Sequence, residues 1–266
     1  MKNLIALLSV SLWLSFPLMA DTQCFLMTEN SKVIQQKGNC DARQAPCSTF
    51  KIVLSLMGYN EGLLIDARRP EWPFKEGYVD WLDSWKRPHN PTTWIKNSCL
   101  WYSQVLTQKL GINKLKDYVA KFNYGNQDLA GDKGKNNGLT HAWLSSSLQI
   151  SPKEQVAFLE KLVEYKLPVS SRAHEMTKNI LFVEGLEDGW SLYGKSGSGY
   201  LLHHDGTRDK NHPVAWFVGW IEKGKRNVVF AYYIGGDTKR NVYARNPAKA
   251  SAIAHLITWI RGSEGK

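Results

Sequence analysis

The sequence predicts an α+β fold: an antiparallel sheet drawn from the N- and C-terminal segments, flanked by helices, with an all-helical insert between. Three observations lead there. Strand-like apolar runs cluster at the two ends of the 266 residues, and helical periodicity fills the middle. No internal repeat, low-complexity tract or Pro/Gly/Ser-rich linker divides the chain. Strands at both ends make one sheet only if the two terminal segments meet beside the helices. The expected division is a leader over 1–20 and a single domain over 21–266. Its mixed α/β part covers about 21–59 and 187–266, and the helical insert about 60–186.

The elements follow in order. Lys2, an apolar run over 4–16, Pro17 and Leu18-Met19-Ala20 form the pattern of a secretory signal peptide cleaved after Ala20. The run is shorter than the ~20 residues a membrane span needs, so the expectation is export to the periplasm with no membrane attachment after cleavage. About 246 residues remain, and 43% hydrophobic content with 11 Trp describes a globular protein. Residues 25–28 and 33–36 read as a hairpin turning at Glu29-Asn30-Ser31, with Cys24 and Cys40 on either side. Four cysteines allow three pairings; a Cys24–Cys40 bridge across the hairpin suits an oxidising compartment. Cys47 and Cys99 lie in no C-x-x-C pattern and read as small buried apolar residues.

After Pro46, residues 48–56 are apolar on nearly every face, with Lys51 the one charged member. This reads as a buried helix stopped near Gly58. Residues 68–94, with four Trp and four Pro, read as irregular structure packed by aromatics. Helical patterns cover 98–110 and 114–122, the second running into Tyr124-Gly125-Asn126. Ser151-Pro152-Lys153-Glu154 is a capping box with Pro at the first helical position, followed by Val156, Phe158, Leu159, Leu162 and Val163 at helical spacing. The period then changes: 190–202, 214–222 and 227–234 read as an antiparallel meander, and 247–260 as a closing amphipathic helix.

The net charge of +10 and pI near 9.3 would attract an anion, but Lys and Arg are interspersed with Asp and Glu throughout. That distribution argues against a nucleic-acid partner and leaves room for a basic cleft that takes a carboxylate-bearing small molecule. No metal is expected, because neither H-x-H-x-D nor H-E-x-x-H occurs and His203-His204-Asp205 reads as a solvated loop. No G-x-S-x-G elbow is present to support a Ser-His-Asp hydrolase.

Two readings of Ser48 and Lys51 stand open from spacing alone. In one, Ser48 caps a helix and Lys51 snorkels from its surface. In the other, the two side chains share one helical face, and a lysine among Phe50, Ile52, Val53 and Leu54 is desolvated toward its neutral amine, which can serve as a base. Ser98 alone is an ordinary cap, and Tyr124-Gly125-Asn126 alone an ordinary turn. Lys195-Ser196-Gly197 falls in a strand weakened by Gly194, Gly197 and Gly199, which makes sense where something approaches the backbone closely, such as a substrate along a sheet edge.

Taken together the motifs are more specific than any one of them. Pro46-x-Ser48-Thr49-Phe50-Lys51, Ser98-x-Leu100-Trp101-Tyr102, Tyr124-Gly125-Asn126, Trp143-Leu144, Leu167-Pro168-Val169, Lys195-Ser196-Gly197 and Trp216-Phe217-Val218-Gly219-Trp220 resemble the class D β-lactamases, the oxacillinase family. Class A enzymes carry Ser-Asp-Asn where this chain has Ser98-Cys99-Leu100. The resemblance implies the serine β-lactamase and penicillin-binding transpeptidase fold, and hydrolysis of penicillins and some cephalosporins. It implies Ser48 as the nucleophile and Lys51 as N6-carboxylysine, formed with carbon dioxide or bicarbonate and otherwise without a bound cofactor. Trp143 is then the indole that hydrogen-bonds the carbamate. Ser98 relays a proton to the leaving nitrogen, and Lys195 supplies positive charge beside it. Ser196 and Arg245 hold the substrate carboxylate, Gly197, Leu100 and Tyr124 line the substrate site, and the N–H groups of Ser48 and Ser198 form the oxyanion hole.

The chain departs from the family pattern at Leu100, where valine is usual, and at Ser196, where threonine is commoner. Two other functions share these motifs. One is a penicillin sensor that is acylated and stays so, and the other is a penicillin-binding peptidase. Trp143 and the single-unit length favour the hydrolase, expected as a monomer or homodimer.

Overall fold

The computed structural model describes residues 22–235 and 246–263; the expected leader and Arg245 lie outside them. The chain opens with the hairpin β1 (Thr22–Glu29) and β2 (Lys32–Gly38). Eight helices follow in the described residues, in the order α1 (Lys51–Asn60), α2 (Pro91–Lys96), α3 (Leu100–Leu110), α4 (Ile112–Lys121), α5 (Gly138–His141), α6 (Pro152–Val163), α7 (Ser171–Ile180) and, last in the chain, α8 (Pro247–Ser263). Between α7 and α8 lie β3 (Phe182–Gly185), β4 (Ser191–Leu202), β5 (Arg208–Lys223) and β6 (Arg226–Gly235).

The six strands form one sheet in the order β2-β1-β6-β5-β4-β3, with every neighbouring pair antiparallel. The expected meeting of the termini is therefore the β1–β6 pairing, in which Phe25 faces Tyr232. A Cys24–Cys40 disulfide closes the N-terminal hairpin, and Cys47 and Cys99 are free and buried.

The alternation of a half-buried strand becomes near-continuous burial along β5 and β6, because both faces are covered. Trp216, Val218 and Trp220 enter the core shared with the helical region. Ala215, Phe217 and Ile221 face the other way and meet α8 through Ala248, Ala252, Leu256 and Ile260, spaced one turn apart.

The structure alters the expected elements at four places. The segment after Pro46 begins as a 3-10 turn, Cys47–Phe50, and α1 starts only at Lys51. Helix α1 runs through Gly58 instead of stopping there, and the glycine serves packing, because a Cβ on it would lie 2.7 Å from Leu64 Cγ. The left-handed turn after α1 falls to Gly62, at φ +68°. β3 lies inside the span expected to be helical, and β5 begins at Arg208 rather than residue 214.

Candidate active site

Helix α1 is buried on every side from Lys51 to Tyr59, as an all-apolar helix must be, and Lys51 is the charge it carries inward. The Lys51 side chain has no exposure, and its Nζ lies 3.1 Å from Ser48 Oγ. Burial is the main force on its ammonium and lowers its pKa from an ordinary 10.5 to about 8. About a tenth of such a group is neutral amine at pH 7. Lys51 is therefore a buried lysine and not one that snorkels from a helix surface.

Ser48 is held by a turn that the rest of the molecule fixes. Cys47 has φ +50°, its N–H donates to Trp143 O at 2.9 Å, and Thr49 Oγ1 donates to Pro46 O at 2.7 Å. Gln155 of α6 then donates to Thr49 Oγ1 at 3.0 Å. A left-handed non-glycine residue costs on the order of 1–3 kcal/mol and persists where such contacts over-determine it.

Ser98 is placed by a different device. It is not the cap of α3, a position taken by Cys99, but the left-handed residue closing α2, at φ +54°. Its N–H donates to Ile95 O and that of Cys99 to Trp94 O, at 3.2 and 3.1 Å, the paired bonds of a Schellman ending. Lys195, on β4, donates to Ser98 Oγ and Ser196 O, both at 2.9 Å. Burial pushes its ammonium well down, with help from the charges of Lys51 and Lys249. Two buried lysines thus face a group of partly exposed hydroxyls, Ser48, Ser98 and Ser196.

The glycines of β4 have their reason in the chain itself. A Cβ at Gly197 would lie 2.9 Å from Pro46 O and 3.3 Å from Ser48 N; one at Gly199 would lie 2.4 Å from Ser145 Oγ and 2.5 Å from Cys47 Sγ. The close approach expected of a substrate is made first by the Ser48 turn, which these glycines let settle onto the strand.

The family model for the penicillin-binding protein transpeptidase domain matches residues 19–257. The β-lactamase OXA-9 of Klebsiella pneumoniae is 42% identical over 224 residues, 84% of this chain and 82% of that protein. OXA-1 of Escherichia coli is 39% identical over 91% of this chain and 87% of its own length. The crystal structure of the class D β-lactamase OXA-427 superposes with a TM-score of 0.86 at 42% identity, covering 91% of this chain and 99% of that one.

The chain belongs to the class D β-lactamase family.

In this class D site Trp143 is fully buried, stacks on Phe50 with ring centroids 5.4 Å apart, and has an indole N–H with no acceptor among the described residues. A buried donor without a partner is costly, and a carbamate oxygen on the lysine next in sequence to Phe50 is an acceptor of the right kind. The orphaned N–H and the deprotonatable Lys51 both fit that group.

Tyr124 was expected to line the substrate site, but its side chain has no exposure and packs on Phe50 and Phe158. Its motif is a clamp. Asn123, at φ +49°, ends α4, and the loop beyond is sewn to the Trp143 segment. Asn126 N–H donates to Gln149 O at 2.8 Å, Gln149 N–H to Asn126 Oδ1 at 2.9 Å, and Asn126 Nδ2 to Ser147 O at 2.8 Å. Leu100, the first residue of α3, is nearly fully buried and belongs to the core around Lys51 rather than to an open wall.

Three supports escaped the sequence reading. Ser145, at φ +49°, accepts the Tyr200 N–H at 2.8 Å and ties the Trp143 loop to β4. Arg208 reaches the same loop at Leu144 O (3.1 Å) and Ser145 O (3.2 Å), while pairing with Asp132 at 2.8 Å. Asn246 caps α8 by accepting the Lys249 N–H, and donates from Nδ2 to Gly197 O at 3.1 Å and to Ser198 Oγ at 3.3 Å. Only Asn246 had a local signal, an Asn-Pro pair opening a helix.

Proposed function

We propose that the protein hydrolyses the β-lactam amide of penicillins and some cephalosporins through an acyl-enzyme on Ser48, so conferring resistance to them. The observation that carries this reading is the Ser48–Lys51 pair, 3.1 Å apart, with the lysine wholly buried. A desolvated amine beside a hydroxyl is the arrangement needed to take the hydroxyl proton as oxygen attacks a carbonyl.

Neutral Lys51 is also the form that adds carbon dioxide at Nζ, releasing one proton and leaving a carbamate. Bound there, that group supplies a general base that stays ionised at neutral pH. Trp143 would hold it through its unpartnered indole N–H, and the packing of Phe50 on Trp143 and Tyr124 excludes bulk water. The N–H groups of Ser48 and Ser198 receive the oxyanion, each donor being worth about 100- to 1000-fold in rate. Ser98 passes a proton to the leaving nitrogen, and Lys195, 2.9 Å from Ser98 Oγ, sets the acidity of that hydroxyl. Ser196 and Arg245 bind the substrate carboxylate, with Gly197 giving the ring room against the strand.

The N-terminal 20 residues act as a signal peptide, and the remaining single domain works in the periplasm. The deciding experiment is hydrolysis of a chromogenic cephalosporin by residues 21–266, with and without bicarbonate. Sustained turnover that bicarbonate raises is the expected result. A single stoichiometric burst followed by silence would instead make the chain a sensor or a penicillin-binding peptidase. Labelled bicarbonate should give a carbamate carbon signal that Lys51→Ala removes.

A further inference from the structure

Next to Ser196, β4 walls a cavity of about 380 Å³ that Ser48, Gly197 and Ser198 do not line. It opens where the sheet edge becomes free. β3 begins at Phe182 opposite Tyr193, Leu181 O still takes the Gly194 N–H at 2.9 Å, and no described strand pairs with that edge of β4 beyond. One wall comes from α2 with Lys96, another from Phe217 and Lys249 at the start of α8, and the floor from Lys195 and Ser196.

Among the described lining residues three are lysines and none is a carboxylate. The placement of Lys249 adds to this. A helix N-terminus carries positive partial charge, so its first turn favours acidic residues, yet α8 has none there and has Lys249 instead. Glu184 is its ion-pair partner at 3.9 Å, beyond hydrogen-bond reach and half exposed to water. Lys195 already carries the repulsion of Lys249 in its own depressed ammonium. Among the described residues Glu184 is the one carboxylate paired with any of these lysines, so the positive field at this cavity is left largely uncompensated by them.

We propose that this cavity is a second anion subsite, which accepts a negatively charged substituent borne next to the substrate's ring carboxylate, with Lys249 and Lys96 as its specificity residues. This rests on the reading that Ser196 holds that carboxylate. In a cephalosporin the ring carbon beside the carboxylate-bearing one carries the third-position substituent, and from Ser196 such a group extends into the cavity. Penicillins carry only methyl groups at the corresponding place and leave it empty. The substrate class singled out is cephalosporins whose third-position arm ends in an anion.

The test is equilibrium binding to the Ser48→Gly protein by calorimetry at low salt, which does not depend on turnover. Two cephalosporins are compared that differ only in the end of the third-position arm, a carboxylate in one and its methyl ester in the other. The acid should bind about tenfold more tightly, as expected for charge-assisted hydrogen bonds in a partly screened site. The preference should fall to about twofold or less in the Lys96→Met/Lys249→Met protein and survive in Lys249→Arg. Equal binding of acid and ester, or a preference that survives the double methionine substitution, overturns the proposal. If the unsubstituted enzyme turns over neither compound while the binding preference persists, the hydrolysis reading falls and the subsite stands.

Discussion

The two faces of the sheet are supplied by the same strands and are built to opposite ends. Toward α8, the sheet buries Phe25, Phe217 and Phe230 against Ala252, Leu256 and Ile260. Toward the other helices it buries an apolar core too, but Lys51, Ser55, Ser103, Thr107, Gln155 and His174 are buried on the helices there, and Lys195 enters from β4 opposite Val218. Burying polar and charged groups costs stability unless they are paired. The α8 face is apolar throughout, whereas the other face, with its larger apolar core, also bears the cost of keeping two lysine side chains out of water.

Substitutions can break or sharpen that division. The largest effect is expected from Ser48→Ala, which should lower kcat by about 10⁴-fold or more with an unchanged melting temperature. Retained turnover would remove the reactive face's centre. Next comes Trp143→Phe, which keeps the stacking on Phe50 and deletes the orphaned N–H. Turnover should drop by about 100- to 1000-fold and recover partly at high bicarbonate, with a smaller effect on acylation than on deacylation followed in single turnovers.

On the α8 face, Leu256→Ala should cost about 3 kcal/mol in urea unfolding and leave kcat/KM of the folded fraction unchanged. A large activity loss there would show that the faces are coupled. The smallest effect on stability is expected from Lys51→Met, and its sign is opposite. Folding holds the Lys51 pKa near 8 where the unfolded chain has about 10.5, so between those values the unfolded state binds more protons and native stability rises with pH. Below about pH 8 the full penalty, about 3 kcal/mol, is present. The methionine variant, compared in bicarbonate-free buffer at pH 7, should gain about 2 kcal/mol and lose the pH dependence between 8 and 10.5, together with its activity.

How much of this could be read from the sequence follows the same line between local and distant causes. The Ser151–Glu154 capping box, the Cys24–Cys40 hairpin and the meander were legible because each is written in a few neighbouring residues. The residues that meet at the site were legible as well, since Ser48, Lys51, Trp143 and Lys195 each stand in a motif of the sequence. The backbone that aims them was not. Cys47, Ser98 and Ser145 adopt left-handed conformations imposed by partners far along the chain or by the end of a preceding helix, and no local preference announces them. Tyr124 was misassigned for a related reason: its motif works through Gln149 and Ser147, more than twenty residues away. β3 has four residues and two apolar side chains, exposed Phe182 and half-buried Val183, too little to stand out from the helix before it.

The cysteines have a practical consequence at the bench. Two are joined to each other, and burial pushes the thiols of Cys47 and Cys99 up to about 11, so neither pair offers a thiolate to reagents at neutral pH. A single cysteine introduced on the surface, at exposed Lys96 for instance, becomes the one site that maleimide dyes label, with every native cysteine left in place. A fluorophore there sits at the rim of the basic cavity, where its emission can follow an arriving β-lactam in real time.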